Sequence, residues 1–153
     1  MTAPRRTRTL ASAIVLALVA LAGCTGSASS PSAGAMVASG AWARASMSID
    51  RAGAVNLSIE NGTGADDALL SVTSPAGTAE LHETMMGDAG MMAMQPIEKL
   101  PLAKDATVEL KSGSYHIMLI NLVSMLEPGA SVELTLTFEH AAPVTVTAEV
   151  RAN

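Results

Sequence analysis

Beyond residue 40 the apolar positions recur at every second residue in short runs, clearest in Val55-Leu57-Ile59, in Val132-Leu134-Leu136-Phe138, and in Val144-Val146 with Val150 beyond. A period of two sends alternate side chains to opposite faces of an extended chain, so each run predicts a strand with one buried and one wet face. In Val132 to Phe138 the intervening Glu133, Thr135 and Thr137 supply the wet face. Turn chemistry separates the runs: Asn61-Gly62, Gly64 to Asp67, Pro75 to Gly77, Lys111 to Gly113, Pro128-Gly129 and Pro143. No long stretch keeps a 3.6-residue apolar stripe, and the runs are rich in β-branched residues. The pattern predicts an all-β fold of about seven to nine antiparallel strands, a sandwich or barrel over residues 40–153.

The first part of the chain follows another rule. Arg5, Arg6 and Arg8 precede an apolar run from Leu10 to Ala22, the charged and hydrophobic regions of a secretory signal. Thirteen residues fall short of the roughly 20 that a spanning helix needs. The run ends in Leu21-Ala22-Gly23-Cys24, which resembles the lipobox of bacterial lipoproteins, in which the cysteine is lipidated and becomes the first residue after cleavage. A plain secretory cleavage near Ala20-Leu21-Ala22, with an incidental cysteine, is the competing reading. Cys24 is the chain's one cysteine, so no disulfide can form within it. Several acyl chains at one residue anchor stably, since each buried CH₂ contributes about 0.8 kcal/mol. The Ser-, Gly-, Ala- and Pro-rich stretch that follows carries no charge and no periodicity, and reads as a flexible linker. The expected plan is a signal peptide at 1–23, a lipidated linker at 24–39 and a β-domain at 40–153, tethered to the outer side of the bacterial cytoplasmic membrane.

Charge and composition exclude one class of partner. From residue 24 onward six cations face fourteen acids, and the aromatic residues are Trp42, Tyr115 and Phe138 alone. Such a body lacks both the basic footprint and the stacking platform of a nucleic-acid binder. Methionine is the opposite anomaly. Five of the ten, Met85, Met86, Met91, Met92 and Met94, fall between residues 85 and 94.

That cluster sits among candidate ligands. In Tyr115-His116-Ile117-Met118 the strand period puts His116 and Met118 on one face, about 7 Å apart along the strand. Upstream, His82 and Met94 flank the methionine-rich segment. Two imidazoles and two thioethers make a four-donor set. Thioethers are soft and uncharged and favour Cu(I), whereas zinc sites take thiolate, imidazole or carboxylate. The thioether needs no deprotonation and cannot be lost to a disulfide in an oxidising compartment.

His82, eleven residues, Met94, twenty-one residues, His116, one residue, Met118: this register is similar to the signature of the PCuAC-type periplasmic copper chaperones. Ala41-Trp42-Ala43-Arg44, Ile59-Glu60-Asn61 and Leu81-His82-Glu83 resemble further strands of that family. The resemblance implies a cupredoxin-like β-barrel with a solvent-exposed Cu(I) site at His82, Met94, His116 and Met118. It also implies delivery of the ion to an acceptor, typically a cytochrome oxidase copper centre. Glu83 stands where some members have methionine, and the chain lacks their His- and Met-rich C-terminal tail, which argues against a Cu(II) role.

Plainer readings compete at several positions. Met91 and Met92 rival Met94, because a flexible loop could present any of the three. Met85 and Met86 read as apolar filler or contact surface. His140 reads as a surface residue, and Trp42 and Phe138 as core. The acids Glu80, Glu83 and Asp88 are expected to hold or steer the cation. No Gly-x-Ser-x-Gly elbow is present, and the single cysteine belongs to the export signal, so the chain is not expected to be an enzyme. The same lack of a cysteine in the domain argues against a blue-copper carrier. The alternatives to a chaperone are a lipid-anchored interaction module with a methionine-rich contact loop, and a copper buffer without a dedicated acceptor. A monomer is the default.

Overall fold

The structure is a computed structural model that describes residues 34–87 and 90–152; the signal segment, Cys24, most of the linker and Asp88 lie outside these. Ten strands follow in order: β1 (Met36–Arg44), β2 (Gly53–Asn61), β3 (Asp67–Thr73), β4 (Thr78–Met86), β5 (Met92–Pro96), β6 (Leu100–Leu102), β7 (Thr107–Leu110), β8 (Tyr115–Ile120), β9 (Ser131–Phe138) and β10 (Val144–Arg151). The fold is all-β, as the alternation predicts, with one strand more than the upper count. The surplus comes from β5, β6 and β7, which are five residues or fewer and too short to show a period.

The strands form one sheet in the order β5-β4-β8-β2-β1-β10-β9-β3-β6, with β7 also pairing β2. Pairing is antiparallel except between β1 and β10. The alternation expected for Val132–Phe138 holds: Val132, Leu134, Leu136 and Phe138 are buried while Glu133 is exposed. Val55, Leu57 and Ile59 of β2 meet Ile117 and Leu119 of β8 in the same core. Each such side chain withdrawn from water contributes about 1.5–3 kcal/mol, which makes this apolar layer the main source of stability.

Two expectations shift. β1 begins at Met36, four residues before the expected domain start, and Met36 is itself core at 6% exposure. Trp42 is not core: Ala43 takes the inward position, and Trp42 lies on the outer face opposite Asn56. There the Arg151 guanidinium sits 5.7 Å from its ring centroid, a cation–π contact.

One turn positions the site. Lys111 to Ser114 closes with Ser114 N–H donating to the Lys111 carbonyl, and its third residue, Gly113, has φ +86°, a conformation that glycine adopts without strain. This turn delivers the chain into β8, two residues before His116.

Candidate metal centre

Register brings the sequence candidates to one face. His82 of β4 stands directly opposite His116 of β8, and Glu80 opposite Met118. On the other side of β4, Thr84 faces Met94 and His82 faces Pro96 of β5. Because side chains alternate, His82, His116, Met118 and Met94 all lie on the face away from the Leu81, Ile117 and Leu119 core. The expectation of Met94 on a flexible loop is corrected. It belongs to β5, an edge strand, and is 62% exposed.

The two imidazoles are close, with ring centroids 5.9 Å apart. His116 is only 2% exposed although it points away from the apolar core. Its Nδ1 lies 3.0 Å from the Ser114 carbonyl oxygen. A carbonyl can only accept, so Nδ1 carries the hydrogen and the Nε2 lone pair is left free. The same logic applies to His82, whose Nε2 is 3.0 Å from Glu80 Oε2. The carboxylate accepts, leaving the His82 Nδ1 lone pair free. Both free nitrogens are buried and have no hydrogen-bond partner.

Four buried side-chain polar atoms lack a partner among the described residues: His82 Nδ1, His116 Nε2, Thr84 Oγ1 and Asn56 Nδ2. All four belong to this face, since Asn56 follows Ala54, the partner of Met118, by two positions. Orphaned buried groups cost about 1–3 kcal/mol each and are rare in folded proteins. Their concentration here fits the donor chemistry of a metal site whose histidines are already oriented by a carboxylate and a carbonyl. Among the described residues no three His, Cys, Asp or Glu side chains come together to hold a metal.

Of the acids expected to steer the cation, Glu80 reaches His82. Glu83 lies on the opposite face of β4, paired with Tyr115. Burial and the neighbouring Glu83 push the Tyr115 hydroxyl pKa upward. Met85 also faces away, with Gln95 Nε2 2.8 Å from its sulfur. His140 is exposed, as expected. Asn56 and Thr84 escaped the sequence reading, because nothing in an asparagine or threonine codon position signals a missing partner.

The fold defines a class: the architecture is that of the PCuAC domain. It matches a copper-bound PCuAC domain from PmoF2 at TM-score 0.65 and 24% identity over 79% of this chain and 96% of that one. An apo PCuAC domain from PmoF1 matches at 0.64 and 25% identity, over 79% and 97%. CuI-DR1885 from Deinococcus radiodurans matches at 0.59 and 22% identity, over 84% of each chain. The LpqE-like family model matches residues 36–150, and the chain belongs to this LpqE-like lipoprotein family. No curated protein matches it. Among the described residues no helix is long and apolar enough to cross a membrane.

Proposed function

We propose that this chain is an extracytoplasmic copper chaperone that holds one Cu(I) between His82, His116, Met118 and Met94 and passes it to an acceptor protein, such as a cytochrome oxidase copper centre. One observation carries the reading: two buried imidazole nitrogens without partners, side by side on one sheet face and flanked by thioethers. The copper-bound relatives of the same fold support it. Lipidation of Cys24 tethers the domain to the membrane through the linker, in keeping with a lipoprotein family.

The chemistry follows from the ligands. His82 and His116 sit on the paired strands β4 and β8, inside the edge strand β5, and are pre-oriented, so little is lost in ordering them when the ion binds. Met94 lies on the exposed edge and is the natural first ligand to be exchanged. An incoming ligand from an acceptor displaces it while the imidazoles still hold the ion, so copper moves without being released to water.

An anaerobic Cu(I) competition titration of residues 25–153 beside the His116→Ala/Met118→Leu double variant tests this. One tight equivalent that the variant loses is the expected result. Equal binding by both chains would sink the assignment and favour a contact-surface role for the methionines.

A further inference from the structure

Beyond the imidazole pair the same face carries thioethers out toward the tip of the β4–β5 hairpin. Met92 and Met94 are two positions apart on β5, and Met86 of β4 stands directly opposite Met92. Met86 is 74% exposed and Met92 65%. None of the three packs against the apolar core. Core filling, the ordinary use of methionine, therefore does not account for them.

Geometry allows their sulfurs to meet. Directly opposed residues place Cβ atoms about 4.5–5.5 Å apart, and positions i and i+2 lie about 7 Å apart along a strand. The unbranched, three-rotor side chain spans either gap. Three neutral, soft donors on one exposed face select Cu(I) over harder cations.

We propose that Met86 and Met92, with Met94 as a shared third donor, form an all-thioether Cu(I) site of lower affinity through which the ion enters the imidazole pair. The proposal rests on the reading of that pair as the copper site. Transfer is a ligand exchange. The Met94 sulfur keeps its bond to copper while the Met86 and Met92 sulfurs leave and the two imidazoles with Met118 take their places. The oxidation state and total charge are unchanged, and no co-reactant is needed. Met85, which faces the other way, takes no part.

The test uses the full chain carrying Cys24→Ser, so that the lone thiol does not compete, with ¹³C-methyl methionine and Cu(I) supplied anaerobically as its acetonitrile complex. The first equivalent is expected to shift the Met94 and Met118 methyl resonances, and the second, held by Met86 and Met92 with the Met94 sulfur bridging the two ions, those of Met86 and Met92, leaving Met85 in place. In Met86→Leu/Met92→Leu, two exposed substitutions that leave the core alone, the second equivalent disappears and the first remains. Met86 and Met92 methyls that stay unmoved in excess copper, or a second equivalent that survives in that variant, would overturn the proposal and leave the hairpin as a protein contact surface. A His82→Ala/His116→Ala variant separates the two readings. If it titrates like the parent, with shifts at Met86 and Met92, the thioether site stands and the imidazole site falls.

Discussion

Two regions of this sheet treat buried polar groups in opposite ways. Where β2 ends and β3 begins, every valence is filled. Asn61 is fully buried, its Nδ2 donating to the Ala65, Leu102 and Ala103 carbonyls, and its Oδ1 accepting from the Thr63 N–H and hydroxyl. The Asp67 carboxylate accepts from the backbone N–H groups of Ala68, Glu139, His140 and Ala141, tying β3 to the turn after β9. Across the sheet, at β4 and β8, two imidazole nitrogens and a threonine hydroxyl have no partner at all. Satisfied groups hold a fold together, while unsatisfied ones hold binding capacity in reserve. The division implies that stability and copper affinity are carried by different residues and can be broken separately.

The largest separation is expected on the affinity side. Removing a group that only orients a ligand typically costs 10- to 100-fold in metal affinity, so removing the ligand itself costs more. His116→Ala should lower Cu(I) affinity by at least about a hundredfold in a chelator competition, while the fold loses the Nδ1 hydrogen bond to Ser114 and the packing of one buried ring but stays intact. A collapse of the fold with copper affinity retained per folded molecule would contradict the division.

The mirror experiment is at Asp67. Burial pushes its carboxyl pKa upward, but donation from Ala68, Ala141 and His140, helped by the His140 charge, outweighs this and holds it below the ordinary 3.8. A lowered native value means stabilisation that is fully present above the unfolded pKa and is lost as pH falls through the native one. Asp67→Asn should therefore cost about 2–3 kcal/mol in urea unfolding near neutral pH, a gap that narrows as the pH drops below about 3.8, with one copper still bound. An acid-independent gap would remove the charge from the explanation.

These two regions were not equally legible in the chain. Period-two runs such as Val132–Phe138 fix strand faces because burial of one face is a local property of the pattern. The spacing of His82, Met94, His116 and Met118 likewise carried the candidate site, since strand parity alone aligns His116 with Met118. The cross-strand register was invisible. That His82 meets His116, that Met94 sits on an edge strand and that Glu83 turns away all depend on pairings between segments far apart in sequence. Trp42 misled for a related reason: the irregularity in β1 between Ser39 and Trp42 resets the parity that composition alone cannot count.

A smaller effect is expected at Glu80, which in the proposed site would act on the ion only through His82. Its carboxylate holds Nε2 as the protonated nitrogen and so leaves the Nδ1 lone pair free. Glu80→Ala should weaken Cu(I) binding by about tenfold, without changing the stoichiometry. An effect as large as that of His116→Ala would make Glu80 a ligand in its own right.

The smallest change tests whether the unpartnered atoms of this face are a cost to folding. Thr84 lies between His82 and Met86 on β4, directly opposite Met94, and its hydroxyl is buried without a partner. Valine keeps the β-branched shape that suits a strand and removes only the polar atom. If the hydroxyl is an unrecovered desolvation cost, Thr84→Val should raise stability by up to about 1 kcal/mol in urea unfolding and leave copper affinity within twofold. Loss of stability would show that the hydroxyl has a partner in solution. Loss of affinity at unchanged stability would place it among the groups that orient the site, and would draw the boundary between the two regions one residue further along β4.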